Sequence, residues 1–350
     1  MPPCVLITGG AGFIGFHAAQ HFLAKGWKVV ILDNLSRPGV QYNLDQLKGE
    51  QNVVFIKADI RKKGVWGSVL RPAGARVDLV LHLAAQVAVT KSVENPREDM
   101  EINFLSTFEL LETVRKLSKG HRPKLLVFSS TNKVYGALHQ YPLQAKAKRY
   151  AFLNGMEAIN EETKLDFHSP YGCSKGAADQ YIHDYSRIYH LPTVVLRQSC
   201  IYGTNQIGIE DQGWVAYFAI RALLDRPITI YGDGKQVRDL LYVDDLARLF
   251  EMLYKNTHVS SGKIYNVGGG PENTVSLLEL TELLGQKIKK KVPLHFNSWR
   301  PGDQKIFISD ITALKNDLGW YPRVSVDAGL DRMISWIEAH LDHIKKVSTK

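Results

Sequence analysis

Cysteine is scarce in this chain, long apolar runs are missing, and no tract is compositionally biased; each absence removes a class of protein. The three cysteines, Cys4, Cys173 and Cys200, are too few and too scattered for a disulfide framework or a zinc site. They read as reduced packing residues, and no metal is expected. No apolar run approaches the roughly 20 residues a bilayer span needs. The opening MPPCVLITGG passes from the initiator methionine into an apolar strand with no basic segment or signal-type run before it, so a cytoplasmic location and no membrane contact are expected. Low-complexity tracts and short-period repeats are also missing. What is present is a globular composition, 45% hydrophobic and 23% charged, in 350 residues, enough for a large core and two lobes. The formal charge of +9 comes from Lys and Arg spread among acids. That argues for a solvated surface, with a modest field attracting a small polyanion, and against a nucleic-acid footprint.

Short Val/Ile/Leu-rich runs alternate with longer segments of helical period, the pattern of a parallel sheet covered by helices on both faces. The runs are CVLIT from Cys4, KVVILD from Lys28, VVFIKAD from Val53, DLVLHLAA from Asp78, KLLVFSS from Lys124 and TVVLR from Thr193. Six such strands suit a doubly wound α/β Rossmann sheet. The stretch 136–166 is polar and aperiodic, and is expected to be a lid or edge over a site. Beyond Gly203 the rhythm changes to shorter strands (ITIYG, KIYNVGG, PLHF) and helices, which suggests a smaller α/β lobe. Residues 1–203 with roughly 237–260 are assigned to the Rossmann domain, and 204–236 with 261–346 to the second lobe.

Directly after the first strand comes GGAGFIG, with Gly9, Gly12 and Gly15 in a G-x-x-G-x-x-G spacing and a helical segment behind it. Glycine permits the tight turn, the approach of a pyrophosphate to the backbone and close helix–strand packing, and the helix N-terminus presents N–H donors to phosphate. Asp33 ends the second strand, 18 residues after Gly15. A carboxylate there accepts adenosine ribose hydroxyls and repels a 2′-phosphate, favouring NAD over NADP, although Arg37 nearby is a residue that can accommodate that phosphate. The expected cofactor contacts are Gly9, Gly12, Phe13, Ile14, Gly15, Asp33, Asn34, Arg37, Asp59, Ile60, Ala84, Ala85 and Gln86, with Tyr171 and Lys175 at the reactive end.

Tyr171 and Lys175 stand four apart in HSPYGCSKGAADQY, on one face of a helix that Pro170 is suited to start. Alone, such a pair is more often a surface couple. Thr131, ending the fifth strand at the sheet's carboxyl edge, changes the balance. An ammonium beside the phenol is expected to lower its pKa from near ~10, and Thr131 can donate to the same substrate oxygen. The trio suits removal of a proton from a carbinol while its hydride leaves for NAD.

GGAGFIG, Asp33, the SSTNKVYG strand end, Y-x-x-x-K and GKQVRDLLYVDD together resemble the extended short-chain dehydrogenase/reductase family over essentially the whole chain. DNLSR from Asp33, LDFHSPYGCSKGAADQY from Leu165 and DQGWV from Asp211 further resemble its sugar-nucleotide 2-epimerases. The resemblance implies tightly held, regenerated NAD, oxidation of a nucleotide-bound hexose at C2, rotation of the 2-keto sugar and hydride return to the other face. Thr131, Tyr171 and Lys175 carry over as hydrogen-bond donor, base and electrostatic partner, with Lys175 also on the nicotinamide ribose. Related 4,6-dehydratases carry Asp and Glu after the threonine; here Asn132 and Lys133 stand there, so dehydration is not expected. On the substrate side the expected residues are Thr131, Asn132, Lys133, Asn205, Gln212 and Trp214, with Arg238 in GKQVRD and Arg300 in RPGDQ for a pyrophosphate. His168 is read as structural. A homodimer, paired through Asp99–Leu117 and Pro170–Tyr189, follows from the resemblance alone. A UDP-hexose 4-epimerase needs the same trio and stays open, as does an NAD-binding sensor or scaffold.

Overall fold

The computed structural model describes residues 2–70, 76–300 and 302–348. Seven strands form one parallel sheet in the spatial order Ile264–Val267, Thr193–Gln198, Leu125–Thr131, Leu79–His82, Cys4–Thr8, Lys28–Asp33, Val53–Lys57. The chain first winds outward from Cys4–Thr8 in one direction and then, from Leu79–His82, in the other. The reversal opens a crevice at the strands' carboxyl ends, where doubly wound sheets bind ligands.

The near-continuous apolar strands are explained by burial on both faces. Val5 and Ile7 pack with Phe16, Phe22, Leu249 and Phe250, while Leu6 between them packs with Leu110, Val114, Ala178 and Ile182 on the opposite face. Each such fully buried aliphatic or aromatic side chain contributes on the order of 1.5–3 kcal/mol. A third apolar cluster gathers helices Trp214–Leu223, Leu277–Ile288 and Val326–Ala339 around the strands Ile228–Tyr231 and Val237–Tyr242. Helix Val243–Lys255 returns to the first cluster through Leu246, Leu249, Phe250 and Leu253.

Two expectations are corrected. Ile264–Val267, assigned above to the second lobe, is the seventh strand of the main sheet, paired with Thr193–Gln198. Its Tyr265 and Val267 fill the first cluster, a placement set by which buried edge was free and not by local composition. The stretch 136–166, expected as a lid or edge over a site, supplies no residue to the lining of the cleft at the sheet's carboxyl edge. It carries a short antiparallel pair, Leu143–Ala145 with Tyr150–Phe152, and its Leu138 and Ile159 pack on Tyr135 and Phe307. Arg149 ties it outward to Glu279 at 2.7 Å, and none of these residues lines the cleft described next.

Candidate active site

The carboxyl edge of the sheet holds a cleft of about 660 Å³. At one end lies the glycine turn. Gly9 adopts φ +67°, donates to Leu32 O at 2.8 Å, and would bring a Cβ within 3.0 Å of the Ala84 backbone. A Cβ on Gly15 would overlap the Gly9 carbonyl oxygen and the Gly10 backbone. Because those atoms are main chain, the turn itself must move; Gly15→Ala is expected to lose most dinucleotide binding, read by nucleotide released on denaturation.

The Asp33 carboxylate has a role beyond the one expected. It accepts from Ala11 N at 3.1 Å and Leu35 N at 2.8 Å, so it braces the turn while facing the cleft. Burial pushes its pKa up, with these N–H groups and Arg37 opposing. Asp59, paired with Arg61 at 2.8 Å, is held down at about 2 and accepts from Asn34 at 3.1 Å. Ile60, Ala84, Ala85 and Gln86 continue the wall, as do Phe13 and Ile14. All thirteen residues named from the sequence for the cofactor alone line this one cleft, beside Tyr171 and Lys175. A run from two acids past a Cβ-free turn to a phenol and an amine has the layout a dinucleotide requires.

At the reactive end, Thr131 closes the strand Leu125–Thr131 and lines the cleft beside Tyr171, its hydroxyl accepting from Lys133 N at 3.2 Å. Tyr171 and Lys175 lie near the start of helix Ser169–Tyr189, entered through Ser169 at φ +68° and Pro170. Positive φ at a serine is strained backbone beside the site. Lys175 is 3% exposed, donates to Ser129 O, and sits 4.1 Å from the Phe128 ring centroid. Burial pulls it down to about 7, against the opposing charges of Asp179 and Asp99. Tyr171 departs from expectation: burial first, then Asp99, pushes its phenol up to about 12, while Thr131 and Arg37 act the other way. Loss of hydration of the phenolate outweighs any help from the helix-mate amine, which is anchored on Ser129 O.

The substrate-side residues divide. Asn205, Gln212 and Trp214 line the cleft. Gln212 accepts from Arg37 Nη1 at 2.5 Å, Asn205 donates to Asn43 at 3.3 Å, and Trp214 Nε1 reaches Cys200 Sγ at 3.3 Å. Asn132, Lys133, Arg238 and Arg300 are not in its lining. Lys133 is half-buried, donates to Gly302 O at 3.4 Å, and is pulled down to about 8 by desolvation and by Arg238. Arg238 donates to the Val237 and Gln304 carbonyls, both at 2.8 Å. Arg300 pairs with Asp211 at 3.5 Å and lies 3.8 Å over the Tyr231 ring.

Sequence reasoning missed the support beneath the trio. Asp99, fully buried, accepts from Ser174 Oγ, from Gln86 Nε2 at 2.9 Å and from Asn103 Nδ2 at 3.0 Å, tying the reactive helix to the cleft wall. Asn103 sits in a π-helical turn, Glu101–Leu105, a distortion often found at functional sites. The available signal was an Asp and an Asn four apart, and so on one face, in a helical run. Asp179 and Arg197, a buried ion pair at 3.0 Å, hold the same helix to the sheet.

The profile of a family described as GDP-mannose 4,6 dehydratase matches residues 6–333. The CDP-paratose 2-epimerase of Salmonella typhi is 42% identical over 340 residues, 95% of this chain and 98% of that one. Among solved structures, UDP-glucose 4-epimerase from Thermotoga maritima, determined with UDP-glucose, superposes with TM-score 0.83 at 30% identity, covering 97% of this chain and 99% of that one. UDP-glucuronic acid 4-epimerase from Bacillus cereus, in complex with UDP-glucuronic acid and NAD, gives 0.82 at 27% identity, covering 96% and 99%. With that match across its length, on a parallel sheet carrying a glycine turn, Thr131, Tyr171 and Lys175, the chain belongs to the GDP-mannose 4,6 dehydratase family of extended short-chain dehydrogenases/reductases.

Proposed function

We propose that this protein is an NAD-dependent epimerase that inverts C2 of a nucleotide-diphosphate hexose of the CDP-paratose/CDP-tyvelose type. The observation that carries the proposal is Thr131, Tyr171 and Lys175 meeting in the dinucleotide cleft with Asn132 and Lys133, not two carboxylates, following the threonine. That set can oxidise and restore a carbinol but has no acid and base of its own there for removing water, whatever the family's name. The 42% relative supports C2 as the carbon.

When bound, NAD supplies the acceptor and donor of the C2 hydride, and in its oxidised form a positive ring. The glycine turn and Asp33 hold its pyrophosphate and ribose. Tyr171 takes the proton of the C2 hydroxyl and later returns one to the oxygen; Thr131 donates to that oxygen and keeps it against the phenol. Lys175 contributes positive charge and a ribose contact. The 2-keto sugar turns over between the two half-reactions, and its diphosphate lies toward Lys133, Arg238 and Arg300, in the lobe formed by 204–236 and the chain beyond the seventh strand. Lys133 and Arg238, like charges near one another, are a pair an anion would relieve.

The test is a panel of CDP-, GDP- and UDP-hexoses followed by NMR of the anomeric and C2 protons. C2 inversion of a CDP-hexose is expected, with no solvent deuterium at C2 after turnover in D₂O, because the hydride never exchanges. Inversion only at C4 of a UDP-hexose would replace the reading by 4-epimerisation, and deuterium at C2 would sink transient oxidation. A pure binding protein has no need of a buried, depressed lysine such as Lys175.

We further propose a homodimer and a cytoplasmic location. Among the described residues no helix is long and apolar enough to cross a membrane. Met100, Leu105, Tyr181, Ile188 and Tyr189 are exposed on the two helical segments expected to pair, and such a patch is typical of an interface. Sedimentation equilibrium at micromolar concentration should give twice the chain mass; a monomer would overturn the dimer.

A further inference from the structure

Gln198 ends the strand Thr193–Gln198, its Cα in register with Thr131 on one side and Val267 on the other. Partners in register share a face. Val194 and Leu196 therefore point into the first apolar cluster on the face that Gln198 and Thr131 share, while Arg197 turns to the other face and pairs with Asp179. The position favours an apolar side chain. It holds a carboxamide instead, 7% exposed, in the lining of the cleft with Thr131, Tyr171 and Lys175.

On the opposite face of these strands the polar groups are satisfied. Ser130 donates to Asp179 at 2.7 Å, Arg197 donates to Asp179 and to Tyr135, and Tyr135 donates to Asn266 at 2.7 Å. Gln198 Nε2, by contrast, meets no acceptor of the protein; in the same cleft Gln206 Oε1 also lacks a partner, but the Gln206 amide donates to Ile201 O. An unpaired buried N–H is destabilising, and packing alone gives no reason to keep it at an apolar-facing strand position.

We propose that the Gln198 carboxamide donates a hydrogen bond to a neutral oxygen of the bound reactants, holding it beside Thr131 at the reacting carbon. This rests on the function proposed above. Two oxygens have that chemistry: the carboxamide oxygen of the nicotinamide and the C2 oxygen of the sugar. Lys175 and Arg37 already supply positive charge nearby. A carboxamide adds a fixed, non-titrating dipole that orients the acceptor without altering the site's charge.

The experiment compares wild type with Gln198→Met and Gln198→Leu in the full chain. It reads three quantities: the melting temperature of nucleotide-stripped protein, NAD(H) retained through purification, and kcat and KM for the CDP-hexose. Removing an orphan donor should raise the stripped protein's melting temperature by roughly 1–3 °C. Epimerisation should fall at least about tenfold, the loss expected of an aimed donor. If the nicotinamide oxygen is the acceptor, retained NAD(H) falls; if the sugar oxygen is, retention is unchanged and kcat falls. Either outcome supports the assignment. Turnover and NAD(H) retention both within twofold of wild type, in whichever variant folds, would make Gln198 inert packing and overturn it. So would lower melting temperature and lower turnover together in both variants, since the side chain would then be structural. Failure of the broader reading looks different: the wild type itself would show no epimerisation while the melting shift could still be measured.

Discussion

Tyr171→Phe should abolish epimerisation, by a factor of about 10³–10⁴, while leaving retained NAD(H) near the wild-type level. The ring that fills the space beside Thr131 remains, and only the oxygen that accepts the carbinol proton is lost. The wild-type pH dependence should expose the phenol's difficulty. Burial pushes it up to about 12, so the rate in the free site is limited by the small phenolate fraction and rises with pH on the acid side. The rise should end where Lys175, pulled down to about 7, begins to lose its proton. The limits belong to the pair and not to either residue. Turnover in Tyr171→Phe within tenfold of wild type would remove Tyr171 from the mechanism.

Lys175→Met should separate function from stability. Turnover is expected to fall about 10³-fold, because the phenolate and the bound ribose lose their cation. The nucleotide-free protein should nevertheless melt higher at pH 7 and below. A lysine whose folded pKa lies below its unfolded value is protonated in the unfolded chain and neutral in the folded one between the two values. Unfolding therefore takes up a proton there, and stability increases with pH through that window. For Lys175 the window runs from about 7 to the usual lysine value, and for Lys133 from about 8. Wild-type melting temperature should thus climb from pH 7 toward pH 9.5. In Lys175→Met the climb should be shallower and start later, since only Lys133 remains. An unchanged slope would show that the Lys175 ammonium is not destabilised by its burial. Retention of such a group against its energetic interest is characteristic of a working site.

The two variants bear on different layers of the molecule. In the proposed mechanism Tyr171 acts at the substrate oxygen. Lys175 acts through charge and depends on what surrounds it: the Ser129 carbonyl, the Phe128 ring, and Asp99 and Asp179 behind the helix. Asp99 also restrains Gln86 on the cleft wall, so the helix and the dinucleotide wall are one mechanical unit. That coupling runs through a π turn containing Asn103, whose side chain carbonyl accepts from Gln86 N at 3.0 Å.

Features that depend on local rules were legible in the chain before it folded. Apolar runs of strand length alternating with helical periods predict a parallel sheet. GGAGFIG between strand and helix places a dinucleotide turn, because a Cβ at Gly9 would press on the Ala84 backbone and one at Gly15 would overlap the Gly9 carbonyl. Pro170 and the four-residue spacing put Tyr171 and Lys175 on one helical face, and the strand end put Thr131 at the same edge. Tertiary structure decided what long-range packing and desolvation control. Ile264–Val267 joined the large sheet because its partner edge lay there, which no local pattern records. Lys133, Arg238 and Arg300 are absent from the cleft's lining, and Arg238 is placed by the pairing of its strand with Thr274–Ser276 and Ile306–Phe307, contacts far apart in sequence. The Tyr171 phenol is raised and not lowered, because removal of water depends on everything packed around a group while spacing reports one neighbour. The unmatched Gln198 donor became visible only when a strand seventy residues away brought Thr131 alongside it.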